Sequence, residues 1–440
     1  MYSENILRIM KEKGINIGDM VLIKKGNKKY EGILMPRTGD NENVFVIKLR
    51  NGYNVGIKFE DRISIEKTDA GKKEDVGRKT KNITIDKNKP TISILHTGGT
   101  IASRVDYRTG GVVSSVSPED LLEIYPELFD FANFRSRQVL NIFSEDMRLE
   151  HHQIIARAVE DEIKKGCDGI IITHGTDTMH YTSSMLSFML QDLPVPVILV
   201  GAQRSSDRGS SDAALNLVSA VRFIAETDFS GIGICMHENS SDKSCLILPA
   251  CKSRKLHTSR RDAFKAVNAL PIARVSDKIE FFVEYPKKNR NRKVKLQDKF
   301  EKKVALLKIT PNLDPGLIEF FIKNNYKGLV LEGTGLGHSP VNQFDNPTKM
   351  NRQIFEALKK ACEKMVVVMT SQCIFGRVNM NVYSTGRDLQ KIGIVPGEDM
   401  LPETAFVKLA WLLGNYPDKA KELIGKNIAG EISERSEYYE

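Results

Sequence analysis

Apolar and polar positions change rhythm along this chain, and the changes divide it. Between residues 18 and 67 apolar residues come in short runs, Met20–Ile23, Tyr30–Met35, Val44–Leu49, Val55–Phe59 and Ile63–Ile65, with turn signals at Gly39-Asp40 and Asn51-Gly52 between them. Such runs predict antiparallel strands, so a small all-β barrel of about five strands is expected here. A polar, helix-like start with Ile6, Leu7 and Met10 at helical spacing precedes it. The region is too small and too polar for an enzyme site, which favours a docking module. From Asp69 to Pro90 charge replaces periodicity, as expected of a linker.

After Pro90 hairpins give way to alternating strands and helices. Thr91–His96 reads as a buried strand ending in a glycine turn, and Ser117-Pro118-Glu119-Asp120 reads as a capped helix start. A helix near 147–165, a strand Gly169–Thr173, a helix near 178–190, a strand Val197–Val200, a helix over 211–226 and a strand near Ile232–Met236 follow. Beyond the basic stretch Lys287–Lys303 the alternation resumes: Val304–Ile309, a helix at 315–323, Gly328–Glu332, a helix at 349–363, Met365–Met369, and a helix Pro402–Gly414. This pattern implies mostly parallel sheets covered by helices, with ligand sites beyond the carboxyl ends of the strands. The expected division is 1–68, linker 69–90, a large domain 91–285, a basic inter-domain linker 286–303, a smaller domain 304–425 and a polar tail 426–440, either frayed or pressed on a partner.

Composition changes this picture little. The 65 Lys and Arg against 56 Asp and Glu give +9, a mild excess concentrated in Lys72–Lys89 and Lys287–Lys303, both of which read as solvated linkers. Six scattered cysteines and the lack of a signal-peptide apolar core suit a cytoplasmic protein with reduced thiols, and no CxxC pair with matching histidines suggests zinc.

The chemistry concentrates in two glycine-rich turns that follow buried strands. The first is His96-Thr97-Gly98-Gly99-Thr100-Ile101-Ala102-Ser103, the second Thr173-His174-Gly175-Thr176-Asp177-Thr178-Met179. Glycines let backbone amides approach a developing oxyanion, while a threonine hydroxyl needs an adjacent base to attack. Thr176 and Asp177 also suit the cap of a helix starting near Thr178. Lys255 alone reads as an ordinary surface lysine, and His96 and His174 read as packing residues.

Thr97-Gly98-Gly99-Thr100-Ile101-Ala102 together with His174-Gly175-Thr176-Asp177-Thr178-Met179 resembles the paired signatures of the bacterial-type L-asparaginases. The resemblance implies a two-domain α/β amidohydrolase core, here preceded by the small all-β, SH3-like barrel. It implies that Thr100 is the nucleophile of an acyl-enzyme, with Tyr107 on a flexible lid beside it, and that Thr176, Asp177 and Lys255 form a second triad. Which threonine attacks first stays open. Substrate contacts are implied at Gly99, Gly175, Ser144 and Glu145, the last standing where the family commonly has glutamine. Glu332, in the turn Glu332-Gly333-Thr334-Gly335-Leu336-Gly337-His338, is implied to reach toward a neighbouring subunit's site, hence a homodimer. Arg204 and Asp207, in Gly201–Asp207, are expected to be structural or near the dimer seam.

An asparaginase core behind a barrel and linker resembles the GatD family, the ammonia-supplying subunits of archaeal glutamyl-tRNA(Gln) amidotransferases. That resemblance implies hydrolysis of L-glutamine, no cofactor or metal in this chain, and a GatE-type partner subunit in an α2β2 complex. The partner would hold ATP and Mg2+ and bind most of Glu-tRNA(Gln). A free-standing cytosolic L-asparaginase is the other reading.

Overall fold

The computed structural model describes residues 2–26, 28–35, 43–49, 54–60, 63–68, 86–99, 103–105, 112–114, 126–204 and 211–436. The turns expected at Gly39-Asp40 and Asn51-Gly52, most of the linker after Asp69, Thr100, Tyr107, the helix start at Ser117–Asp120, Asp207 and the last four residues lie outside these.

A helix α1 (Glu4–Glu12) precedes β1 (Met20–Lys25), β2 (Lys28–Leu34), β3 (Val44–Leu49), β4 (Asn54–Lys58) and β5 (Ile63–Lys67). These strands form one antiparallel sheet in the order β4-β3-β2-β1-β5. Among the described residues the two edge strands do not pair with each other, yet Ile57 and Ile65 from both edges join Ile6, Val21, Ile23, Phe45 and Ile47 in a single core. The period-two pattern places these strand side chains on one face.

The large sheet holds β6 (Thr91–Gly98), β7 (Asn133–Ile142), β8 (Gly169–Thr173), β9 (Pro196–Val200), β10 (Gly231–His237), β11 (Cys245–Pro249), β12 (Ala273–Val275) and β13 (Ile279–Phe281). Its order is β13-β12-β11-β10-β9-β8-β6-β7. The five strands β7, β6, β8, β9 and β10 run parallel, and β11, β12 and β13 continue the sheet antiparallel. Helices α2 (Leu149–Lys164), α3 (Met179–Met189) and α4 (Ala213–Glu226) cover its faces, which explains why the central strands read as unbroken apolar runs. The chain leaves β6 first for β7 on one side and then returns for β8 on the other, so the sheet has its topological switch point at the carboxyl end of β6.

The smaller sheet contains β14 (Val304–Lys308), β15 (Gly328–Gly333), β16 (Val366–Ser371) and β17 (Val395–Pro396), all parallel. Around it lie α5 (Pro315–Lys323), α6 (Lys349–Lys364), α7 (Ser384–Lys391) and α8 (Pro402–Asn415). Asp314 caps α5 by accepting from the Gly316 amide at 2.7 Å, with proline at the first position, the arrangement such a start favours.

One hydrophobic core runs through both domains. Helix α3, buried almost throughout, lies against α8, and Phe188 stacks on Trp411 with centroids 5.7 Å apart. The basic segment 287–303 between the domains has most of its residues exposed, while its backbone docks on both domains. The Trp411 indole donates to the Gln297 carbonyl (2.8 Å), the Gln297 amide donates to Met189 (2.8 Å), Lys295–Leu296 pairs with Leu190–Gln191, and the Glu301 amide donates to Ala410 (2.9 Å). Lys287, Lys295 and Lys302 keep their side chains largely exposed, whereas the Lys288 ammonium turns inward to donate to the Ile224 carbonyl at 2.7 Å.

The polar tail packs on this chain over 426–436, where the fully buried Glu431 pairs with the fully buried Lys408 at 2.6 Å. Ser433 accepts from Lys252 (2.7 Å), and Arg377 donates to the Ser433 and Glu434 carbonyls. All six cysteines are free thiols, and no helix of the described residues is long and apolar enough to cross a membrane.

Candidate active site

Three loops meet beyond the carboxyl ends of β6, β7 and β8. The hydroxyl of Thr97 donates to the Thr173 carbonyl (2.8 Å), joining the first two turns at their bases. Above this, Gly99 has φ +82°, and a Cβ there would lie 2.3 Å from the Gly175 nitrogen. A Cβ on Gly175 would in turn lie 2.8 Å from the Ser144 hydroxyl oxygen. No side chain larger than hydrogen fits at either glycine, so the two motifs and the Ser144 turn lie in backbone contact.

Thr176, Asp177 and Lys255 are joined directly. Lys255 Nζ donates to Thr176 Oγ1 at 2.8 Å and to Asp177 Oδ1 at 2.7 Å. Thr176 is buried, the Lys255 side chain is 11% exposed, and that of Asp177 is 60% exposed, so the group sits at the mouth of a recess with its carboxylate toward water. Ser144 Oγ accepts from the Asp177 amide (3.2 Å), and its carbonyl accepts from the Thr178 hydroxyl (2.6 Å). Thr178 is the residue before α3, yet no side chain there caps the helix. The hydroxyl and carboxylate of Thr176 and Asp177 are turned toward Lys255 instead of the helix amides. Glu145 is exposed in the same short turn as Ser144.

Lys255 lies on a two-stranded ribbon, Ser253–Lys255 with Phe264–Ala266, held on several sides. Arg254 pairs with Glu403 of α8 at 2.7 Å, and Lys252 pairs with Asp399 in a buried contact. Burial pushes the Glu403 carboxyl above the usual carboxylate range, against the charge of Arg254. Glu332 is not brought to this group within one chain. Its carboxylate faces Lys308, and its carbonyl accepts from Ile309 and Gln372. Arg204 donates its backbone amide to Asp212, a structural role.

A chain of hydrogen bonds beneath the site had no signature in the sequence. His174 Nδ1 faces the Gly175 carbonyl at 2.6 Å and must donate, so its Nε2 accepts from the Thr182 hydroxyl at 2.8 Å. Thr182 then accepts from His152 Nε2 at 3.1 Å. One carbonyl thereby sets the direction of every proton in the chain. The i, i+4 placement of Thr178 and Thr182 at the start of α3 was the one available hint.

Burial of His152, His174 and His180 as neutral rings should make the protein sensitive to acid. Burial pushes His152 and His180 down to about 3 and His174 to about 4 from the ordinary 6.5. Below pH 6.5 the unfolded chain takes up these protons before the folded one does, so their contribution is complete above that pH and is lost as pH falls toward the folded values. Each ring then costs up to about 1.4 kcal/mol per pH unit. Thermal unfolding followed from about pH 7 to about pH 4.5 should show a steep fall in Tm. A flat profile would contradict neutral burial of these rings.

Comparison with known proteins agrees with this geometry. Residues 91–287 match the model of the asparaginase N-terminal domain, 303–423 that of the glutaminase/asparaginase C-terminal domain, and 15–68 that of the GatD N-terminal domain. The chain is 48% identical to the GatD subunit of the glutamyl-tRNA(Gln) amidotransferase of Methanococcus maripaludis, over 96% of this chain and 99% of that one. It is 44% identical to the corresponding protein of Methanothermobacter thermautotrophicus, over 99% and 98% of the two chains. Among solved structures, the thermostable L-asparaginase from Thermococcus kodakarensis superposes with a TM-score of 0.69 at 31% identity, covering 78% of this chain and all of that one. The chain belongs to the GatD family of glutamyl-tRNA(Gln) amidotransferase subunits, with an asparaginase core behind the family's own N-terminal domain.

Proposed function

We propose that this chain is the glutaminase subunit of a glutamyl-tRNA(Gln) amidotransferase, hydrolysing L-glutamine to supply ammonia to a partner subunit that converts Glu-tRNA(Gln) to Gln-tRNA(Gln). The observation that carries this reading is the hydrogen-bonded Thr176–Lys255–Asp177 group at the switch point of an asparaginase fold. The near full-length relatedness to GatD proteins, which includes the N-terminal domain, favours this over a free-standing asparaginase.

The chemistry assigned to the site follows from donor and acceptor types. Glutamine lies across the Gly99–Gly175 contact with its α-ammonium directed to the Glu145 carboxylate and its α-carboxylate to the Ser144 hydroxyl. A threonine hydroxyl attacks the side-chain carbonyl while Lys255, as the free amine, takes the proton, and the Asp177 carboxylate stabilises the ammonium so formed. Collapse of the tetrahedral intermediate expels ammonia, which carries the proton returned by Lys255, and leaves a threonine acyl-enzyme that water hydrolyses to glutamate. Thr100 and Thr176 share the roles of nucleophile and water activator, with Tyr107 beside Thr100. Backbone amides of the two glycine turns provide the donors an oxyanion requires.

The asparaginase-like core forms a homodimer in this reading, with Glu332 serving the neighbouring copy's site. A GatE-type subunit completes an α2β2 assembly, holding ATP and Mg2+ and most of the tRNA. Coupling requires that glutamine turnover be slow until that partner is loaded. Ammonia release from glutamine and from asparagine, measured for the chain alone and with the partner and Glu-tRNA(Gln), tests this. Strong stimulation by the loaded partner is expected, whereas fast asparagine hydrolysis indifferent to both additions would make the protein a free-standing asparaginase.

A further inference from the structure

Behind Thr176 lies a second buried polar network, centred on His237 at the end of β10. Its ring is enclosed, with a side chain 0% exposed. Nδ1 lies 2.6 Å from Asn216 Oδ1, and Nε2 lies 3.1 Å from Asp242 Oδ1. The Asn216 amide orientation is set by its other contacts, since its Nδ2 donates to the Gly201 carbonyl (3.0 Å) and to Asp212 Oδ2 (3.2 Å). The oxygen is therefore the atom facing His237. An amide oxygen and a carboxylate only accept, so both ring nitrogens carry protons and the ring is an imidazolium.

Each side of this ring leads to one part of the Thr176–Lys255 pair. Through Asn216 it fixes Gly201, whose α-carbon lies so close to Thr176 that a Cβ would come within 2.9 Å of Thr176 Cγ2 and 3.0 Å of the His174 carbonyl. Asp212 extends the same brace by accepting from the Gln203 and Arg204 amides. Through Asp242 the ring reaches Arg261, which pairs with that carboxylate from the loop closing the Lys255 ribbon. We propose that His237 is a positioning residue whose doubly protonated ring braces the Gly201 wall of Thr176 and the Lys255 ribbon against each other, so that the site loosens when the ring loses a proton.

The groups facing the ring support a retained proton. Burial works against it, but contact with Cys245, the hydrogen bond to Asp242 and the charge of Asp212 outweigh burial and hold the pKa above the ordinary histidine value. Cys245 lies beside the ring, its Sγ 4.0 Å from Nδ1, and against burial the hydrogen bonds with Cys235 and His237 hold its thiol below the usual cysteine range, so it faces the ring with anionic character; the Cys235 thiol donates to the Asn216 main-chain oxygen at 3.3 Å. Glu238, next along the strand, is turned away to Arg274 and Ser244. Arg261 is the cation beyond Asp242.

Two substitutions at the outer end of the network should act in opposite directions. Asp242→Asn removes one of the charges that hold the proton, beside Cys245 and Asp212, and Arg261→Gln leaves the Asp242 charge to His237 alone. Asp242 is 65% exposed, so its replacement leaves the fold in place. In pH profiles of kcat for the full chain, the alkaline limb should move down by about half a pH unit or more in Asp242→Asn and up in Arg261→Gln, with KM within about two-fold. Equal limbs, or shifts in the same direction, overturn the proposal. The turnover measurement rests on the amide-hydrolase reading, so Tm against pH of the same proteins serves as the independent readout. A raised folded pKa gives stability that is complete below the unfolded value and lost as pH rises through the folded one, and that loss should come earlier in Asp242→Asn and later in Arg261→Gln. Opposite Tm shifts in a protein that hydrolyses neither amide would retain the brace and sink the hydrolase reading. Turnover without opposite shifts would do the reverse.

Discussion

Lys255→Met is expected to lower glutamine hydrolysis by about three orders of magnitude while leaving the protein folded. Methionine keeps the length and the apolar stem of lysine but removes both hydrogen bonds, to Thr176 at 2.8 Å and to Asp177 at 2.7 Å. The attacking hydroxyl or the attacking water then has no amine to receive its proton. Stability should change little, because Asp177 is more than half exposed and water replaces the lost partner. The measurement is kcat with Tm alongside it. A variant within about ten-fold of the parent would remove Lys255 from the chemistry and return it to the role of an ordinary surface lysine.

Glu431→Ala should produce the largest loss of stability of any change in the tail, about 3–5 kcal/mol. The substitution leaves the Lys408 ammonium fully buried, facing the Ile424 carbonyl at 2.8 Å and the Lys426 carbonyl. It also releases the amides of Ile428 and Ala429, from which Glu431 accepts. Burial already pushes the Lys408 pKa down against the pull of Glu431, and without that carboxylate the lysine is driven toward the neutral amine. A Lys408→Met/Glu431→Ala double variant should recover part of the loss, since no buried charge then lacks a partner, while the two amides still lack theirs. Urea unfolding of the single and double variants checks both statements. A single variant within about 1 kcal/mol of the parent would show that water reaches this pair.

The secondary elements were legible where the apolar pattern was strong and the strand central. Gly169–Thr173 and Pro196–Val200 are buried at every position and read as strands from composition alone. Asn133–Ile142 did not, although it is the longest strand of the large sheet and delivers Ser144 to the site. It is an edge strand with most of its side chains partly exposed, so selection for apolar residues is weak and no alternation survives. The three antiparallel strands that extend the sheet were hidden for another reason. Two of them are three residues long, too short to show a period.

Local order thus resides in the residues themselves: apolar runs set the α/β alternation, and the glycines of the two motif turns allow the backbone contact that the site needs. Partnership does not. Lys255 meets Thr176 across 79 residues, the Ser184 hydroxyl meets Thr404 across 220, and Glu431 finds Lys408 only because a polar-looking tail folds onto α8. The worth of a polar group depends on whether its surroundings exclude water, and that depends on which distant segments close over it. His237 adds a nearer case: its ring is enclosed between the Asn216 amide oxygen of α4 and the Asp242 carboxylate of the loop that follows it, a setting that the residue alone does not announce.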